Sequence, residues 1–350
     1  MKIAINGLGR IGSAFLRALY LNSLGSNFQI VAIKDYAQGL TEQDLAKNLA
    51  YLLQHDSIYG RFPCKVDWNG QCIIIDGKPI PVINEKLCLN VDWDEYQTDI
   101  LIEASGDSFN IESSPNLLTN NNLKKIIITR NTEVAHKTIV FGVNEEQYEA
   151  EIDNIISLST CTGNAIAELV NFINDQYSIE NGSLSTIHPV LSNEKLLDNR
   201  NADFNIGRAA KNIKITSTGV VKSLEVLFPH LKGKFIENAV SFRIPTDIVS
   251  VVQATLVTKN NLDLMEVKHN LANKFPTSMR SGLSLSYGNL GFPLVATDFI
   301  GCTSSAVLDM WSLDVQANML SCFVWHDNEL GYAQRIVDCL NLVKDEISKC

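Results

Sequence analysis

The chain has 350 residues, 45% of them apolar and 19% charged, and carries a formal net charge of −10. Such a length points to two domains, and the composition fits a soluble globular enzyme and excludes a disordered chain. The acidic field, unrelieved by any basic block, speaks against nucleic acid as a partner and leaves small anionic substrates open where local arginines gather.

The first residues, MKIAINGLGRIGSAFLRALY, are not expected to form a secretory leader. Arg10 and Arg17 interrupt the apolar run, and no small-residue cleavage site follows it. They read instead as a strand from Lys2 to Asn6 that enters Gly7-Leu8-Gly9-Arg10-Ile11-Gly12, with helical apolar spacing over residues 13–21. A G-x-G-x-x-G between strand and helix offers a tight turn, close backbone approach to a pyrophosphate, and helix N–H groups that favour the anion. Gly7, Gly9, Arg10, Ile11 and Gly12 are therefore cofactor-binding candidates. The next strand, IVAIK, ends at Asp35. An acidic side chain there accepts from ribose hydroxyls and repels a 2′-phosphate, so NAD is favoured over NADP.

Downstream, DILIEAS (99–105), KKIIIT (124–129), TIVFGV (138–143) and NIISLS (154–159) are short β-rich runs suited to a mainly parallel sheet. Ser105 and Gly106 close the first of them and would let a cofactor approach the backbone. No uninterrupted apolar stretch is long enough to span a bilayer, so no membrane partner is expected. The eight cysteines are scattered without C-x-x-C spacing, against both a disulfide framework and a structural zinc site. No metal is expected, and a reducing cytoplasm is the expected location.

NIISLS delivers Thr160 and Cys161 to the start of a helix running through Ala165 to Phe172. A thiolate at a helix start is stabilised by the dipole and the free amides, and ligands gather beyond the C-terminal strand ends of a dinucleotide-binding sheet. His188, at the end of the strand-like SLSTIHP, is the candidate partner and proton shuttle; read alone it would be a structural histidine.

These segments, taken with HDSIYGRF (55–62), FGVNEEQY (141–148), STCTGN (159–164), STG (217–219), FRIPT (242–246) and WHDNELGY (325–332), occur in an informative order. In that order and spacing, the chain resembles the phosphorylating glyceraldehyde-3-phosphate dehydrogenase family from end to end. The resemblance implies an α/β fold: an N-terminal Rossmann domain over 1–160, completed by a C-terminal helix within 329–350, and an α+β catalytic domain over 161–328 with a mostly antiparallel sheet. It also implies a homotetramer, with the segment between His188 and Ser217 reaching a neighbouring subunit. The implied chemistry is attack of the Cys161 thiolate on an aldehyde, with His188 as base and a thioester cleaved by inorganic phosphate. By the same resemblance Arg243 grips the substrate phosphate, and Thr162, Thr218 and Gly219 hold the attacking phosphate. Asn328 orients the nicotinamide carboxamide with Tyr332 packing nearby.

Several positions depart from the family pattern. Leu191 and Asn193 stand where hydroxylated or acidic residues are usual, and a lost hydrogen bond there is worth about 1 kcal/mol. Thr129-Arg130-Asn131 replaces a Ser-Ala-Pro, Gly163 and Ala165 replace a threonine and a second cysteine, and Arg208 is one step out of register with the loop's phosphate-binding arginine. The favoured reading is NAD-dependent, phosphorylating oxidation of glyceraldehyde 3-phosphate. The alternatives are an erythrose-4-phosphate dehydrogenase, to which Leu191 is similar, and an NAD-binding relative without turnover.

Overall fold

Contacts divide the chain into two units, Met1–Ile139 with Glu146–Ser159 and Ala333–Cys350, and Val140–Glu145 with Thr160–Tyr332. The structure is a computed structural model that describes residues 1–22, 28–201, 203–277, 282–288 and 292–347; the last three residues of the expected C-terminal helix lie outside the described residues.

In chain order the first unit contains β1 (Lys2–Asn6), α1 (Arg10–Leu21), β2 (Gln29–Asp35), α2 (Glu42–Gln54) and the short pair β3 (His55–Asp56) and β4 (Gly60–Arg61). There follow β5 (Val66–Asn69), β6 (Cys72–Ile75), β7 (Lys78–Asn84), β8 (Ile100–Glu103), α3 (Ser108–Glu112), α4 (Ser114–Asn120), β9 (Lys125–Ile128), β10 (Lys137–Thr138) and β11 (Ile155–Ser157). They build one nine-stranded sheet in the order β10-β11-β9-β8-β1-β2-β7-β6-β5. The central strands are continuous apolar runs because a parallel sheet is covered on both faces; every residue of β8, β9 and β11 is buried. Chain order turns back at β1, with β2 on one side and β8 on the other, which makes the C-terminal ends of β1 and β8 the crevice where a ligand is expected. Two features were not anticipated from the sequence. An antiparallel meander, β5-β6-β7, extends the sheet, its second turn made by Asp76 and Gly77 at φ of 51° and 74°. The expected strand over 138–143 is also mostly absent. Only Lys137 and Thr138 pair with β11. Beyond them Gly142 turns at φ 84° and the Asn144 side chain accepts the Val140 N–H at 2.9 Å, which removes that amide from a ladder.

The second unit contains α5 (Cys161–Tyr177), β12 (Ile179–His188), α6 (Phe204–Gly207), β13 (Lys214–Ser217), α7 (Val220–Leu227), β14 (Val240–Arg243) and β15 (Ser250–Thr258). It continues with α8 (Leu264–Lys274), β16 (Leu283–Ser286), β17 (Ala306–Gln316), β18 (Met319–His326) and the start of α9 (Leu330–Ile347). Its seven-stranded sheet, β13-β14-β12-β15-β18-β17-β16, is antiparallel except at β12–β14 and β16–β17, as the sequence led us to expect. Leu184, Val252, Leu256, Leu320 and Val324 share one sheet face and form one core with Ile166, Leu169, Val170 and Ile173 of α5. The same register puts Lys214 opposite Arg243, Arg243 opposite His188, and Ser250 opposite His326. From Ala333 onward α9 belongs to the first unit, where Gln334 accepts a 2.7 Å hydrogen bond from the Asn22 side chain at the end of α1.

Gly12 shows how tightly α1 sits on β1: a Cβ placed there falls 2.1 Å from the Gly7 carbonyl oxygen. Gly12→Ala is expected to cost about 1–3 kcal/mol through overpacking, read as a lower urea midpoint; an unchanged midpoint would refute the close-packing role.

Candidate active site

At the crevice of the first unit the three glycines have three separate physical reasons. Gly7 turns at φ 94°, and a Cβ there would meet the Ser105 Cα at 2.5 Å, so the exits of β1 and β8 are pressed together. Gly9 precedes α1 and faces open space, which leaves backbone amides approachable by a diphosphate. Gly12 allows the helix contact already described. Asp35 accepts the Leu8 N–H at 2.9 Å and the Tyr36 N–H at 2.6 Å, one on each oxygen, and each oxygen keeps a lone pair for a ribose hydroxyl. Donor amides at a helix start and an acceptor carboxylate at the next strand end suit the diphosphate and the ribose hydroxyls of NAD.

Arg10 contributes differently from what the motif suggests. Its guanidinium makes a 2.7 Å ion pair with Asp56 of β3, so what it can offer a cofactor is its place in the first turn of α1, beside Ile11. The HDSIYGRF segment thus works as a brace: buried Arg17 also donates to the Gly60 and Arg61 carbonyls at 2.9 Å each. Ser105 gives both its amide and its hydroxyl to buried Glu103, and Gly106 turns at φ 69°. Arg130, exposed, reaches the Gly106 carbonyl at 3.4 Å.

In the second unit Thr160 caps α5, its hydroxyl accepting the Gly163 N–H at 2.9 Å, and Cys161 becomes the first residue of the helix. Ser159 just before it has φ 57°, a left-handed backbone unusual for a residue with a side chain. Burial pushes the Cys161 thiol up; hydrogen bonds from the first turn and the Arg243 guanidinium pull the other way without reversing the shift. Thr160 also lies 3.4 Å, hydroxyl to hydroxyl, from Ser223 in α7, which draws the starts of α5 and α7 together. Thr162 is buried next to the thiol, Gly219 caps the start of α7, and Thr218 before it donates its N–H to the Ala239 carbonyl at 3.1 Å.

His188 is buried, and its Nδ1 lies 2.8 Å from the Pro189 carbonyl. A carbonyl only accepts, so Nδ1 carries the proton and Nε2 is left as the basic nitrogen. Burial, opposed by that hydrogen bond and reinforced by Arg243, lowers the imidazole to about 4, so it is neutral near pH 7. One guanidinium therefore acts on both Cys161 and His188. Arg243 itself is pinned by the Pro189 carbonyl at 3.1 Å and by Glu194 at 3.3 Å.

Other expected site residues fare differently. Arg208 spends its charge on Asp198 at 3.3 Å, both side chains more than 60% exposed, and makes no hydrogen bond to Thr162, Thr218 or Gly219 among the described residues. Leu191 is exposed and Asn193 lines the same cavity as Arg243. Asn328 is buried with its Oδ1 unpartnered among the described residues, a fit for the N–H of a carboxamide; Asp327 beside it caps α9 through the Glu329 and Leu330 amides. Tyr332 is buried in the first turn of that helix. The sequence reading missed Glu194, Lys214 and His326, and composition alone gave no reason to join them. Only the strand register, which sets Lys214 beside Arg243 and His326 beside Ser250, brings them out.

His326 is buried with neither ring nitrogen partnered among the described residues, and burial with the neighbouring His188 lowers it to about 3. Both histidines are thus depressed below the unfolded value of about 6.5. The unfolded chain takes up protons first, so their contribution is present above about 6.5 and is lost as pH falls toward 4 and then 3. Denaturant titrations should show stability falling over that window, with a shallower slope in His326→Phe; an identical slope would contradict the buried neutral ring.

Residues 1–110 match the family described as glyceraldehyde 3-phosphate dehydrogenase, NAD binding domain, and residues 160–328 match its C-terminal domain. Glyceraldehyde-3-phosphate dehydrogenase 1 of Bacillus cereus is 35% identical over 339 residues, covering 96% of each chain. The Geobacillus stearothermophilus glyceraldehyde-3-phosphate dehydrogenase is 33% identical, over 97% of this chain and 96% of its own. Glyceraldehyde-3-phosphate dehydrogenase 2 of Nostoc sp. is 32% identical over 99% of both. A glycine loop beside an acidic strand end, a capped helix-start thiol and a full-length match lead to one conclusion: the chain belongs to the glyceraldehyde-3-phosphate dehydrogenase family and is an NAD-dependent dehydrogenase.

Proposed function

We propose that the protein oxidises glyceraldehyde 3-phosphate with NAD and inorganic phosphate to 1,3-bisphosphoglycerate, through a thioester on Cys161. The observation that carries the reading is a thiol at the capped start of α5 sharing one guanidinium, Arg243, with a neutral histidine whose Nε2 is free to take a proton. Residues 1–160, completed by 329–350, hold the cofactor in this reading, and residues 161–328 carry the chemistry.

The thiol proton leaves to His188 Nε2, the thiolate adds to the aldehyde carbon, and the imidazolium returns that proton to the alkoxide, giving a hemithioacetal hydroxyl and a free Nε2. Amides of the first turn of α5 stabilise the oxygen. His188 then takes the hydroxyl proton as the carbonyl re-forms, giving the thioester. NAD, when bound, supplies the acceptor for the hydride lost in that step. Thr162, Thr218 and the Gly219 amide would hold the inorganic phosphate whose oxygen attacks the thioester and releases the Cys161 sulfur. Arg243 would hold the phosphoryl end of the substrate. Leu191 supports a second reading, oxidation of erythrose 4-phosphate with hydrolysis, because it lines the Arg243 cavity with a side chain that cannot donate. Arg130 and Leu191 motivate a third, NAD binding without turnover.

A homotetramer in the cytoplasm is part of the proposal. Leu196, Leu197, Phe204, Ile213 and Ile215, all between His188 and Ser217, expose more than 60% of their surface, which supports burial against another copy. Among the described residues no helix is long and apolar enough to cross a membrane.

The test follows NADH absorbance with each aldehyde, with and without phosphate. Phosphate-dependent turnover of the triose, lost in Cys161→Ser, is expected. His188→Gln should lower turnover by about 10²–10⁴-fold. Phosphate-independent turnover of the tetrose would transfer the protein to the second reading, and silence with both to the third.

A further inference from the structure

Lys214 and Arg243 are directly opposite one another on β13 and β14, and both side chains are buried, 6% and 12% exposed. Two like charges facing across a ladder are unfavourable unless an anion lies between them. Here that anion is Glu194, its side chain also 6% exposed. One carboxylate oxygen accepts from Lys214 Nζ; the other is 3.3 Å from Arg243 Nε and accepts the Leu191 N–H at 2.8 Å. The three line a cavity of about 170 Å³ with Leu191, Asn193 and Thr216, and exposed Asp203 at its edge.

We propose that Glu194 is a built-in competitor for the anion subsite: its carboxylate occupies the Arg243–Lys214 cation pair until the substrate's phosphoryl group displaces it, and Lys214 is the second cation of that subsite. This rests on the assignment of Arg243 to the phosphoryl end of the substrate made above.

Three features support displacement. Glu194 rides on a short turn, with its own N–H donating to the Leu191 carbonyl at 2.9 Å, so the carboxylate can leave without unpairing a strand. Arg243 uses one donor on Glu194 and one on Pro189, and the rest of its fork has no partner among the described residues. A phosphomonoester dianion also brings twice the charge of a carboxylate, with oxygens matched to a guanidinium fork and an ammonium. The consequence falls on affinity for the anion. An aldehyde whose far end is neutral leaves the tethered carboxylate in place and is indifferent to it, whereas a dianion must displace it, so Glu194 weakens binding of the phosphorylated substrate alone.

The test is calorimetric titration of sn-glycerol 3-phosphate, a phosphomonoester with no aldehyde, into the NAD-loaded protein. Glu194→Gln should bind it about tenfold tighter and Lys214→Gln about tenfold weaker, a coupling of ordinary size. Should the amide variant fail to fold, as judged by circular dichroism, Glu194→Asp keeps the charge on a shorter arm and should show a smaller gain. In turnover, KM for the phosphorylated aldehyde should fall in Glu194→Gln while KM for unphosphorylated glyceraldehyde stays put. Unchanged or weaker binding in the Glu194 variants overturns the proposal. Binding that shifts as expected in a protein without turnover would keep the subsite and sink the reaction; turnover with unmoved binding would do the reverse.

Discussion

The register of β12 against β14 and β15 is the constraint from which the chemistry of the second unit follows. His188 is the last residue of β12, opposite Arg243 on the parallel neighbour, and Arg243 is in turn opposite Lys214. Side chains alternate between sheet faces, so a slip of one residue would move every member of this row to the other face and put Ile187 or Phe242 in its place. What pins the register is the apolar content of the same face, Leu184, Val252, Leu256, Leu320 and Val324, packed on α5. The helix that locks the sheet is the one whose first residue is Cys161, so the core and the proposed nucleophile share an element.

Both units place ionisable groups where water is scarce, but they manage them differently. In the first unit burial pushes the Glu103 carboxyl up, yet it is ringed by donors from Ser105 and Asn6 with Lys34 near, and it serves to hold the β1 and β8 exits in place. In the second, His188 and His326 are kept neutral by burial, and Glu194 lies between Lys214 and Arg243. A neutral imidazole with its Nδ1 proton fixed on Pro189 is a proton acceptor over the whole physiological range. In the proposed mechanism the thiol, raised by burial, gives its proton to that acceptor, and both groups feel the Arg243 guanidinium.

Two of the departures from the family pattern that the sequence displays fall in one short stretch. Leu191 and Asn193 lie on the turn after His188 beside Glu194, and all three line the cavity shared by Arg243 and Lys214. An apolar residue at Leu191 removes a donor from the cavity, and Glu194 adds a carboxylate to it. In the proposed subsite the two side chains act on one property, the anion affinity of a buried cation pair, and Cys161, His188 and the cap at Thr160 lie outside that turn.

Much of the architecture was legible because it is local. The Gly7, Gly9 and Gly12 spacing, the buried runs of β1, β2, β8 and β9, the acidic strand end at Asp35 and the threonine cap before Cys161 are each decided within a few residues by sterics, periodicity or capping. What a strand pairs with is not local. The meander β5-β6-β7 and the loss of the strand after Thr138 depend on one turn and one side-chain hydrogen bond that outcompete β propensity. The sequence by itself determined the fold class, the dinucleotide loop and the place of Cys161 at a helix start. Only tertiary structure decided that Arg10 would be spent on Asp56, that Arg208 would face Asp198, and that Lys214 and Glu194 would join Arg243. The reason is physical: a charge finds its partner through burial and cross-strand register, and neither can be read from the residues that flank it in the chain.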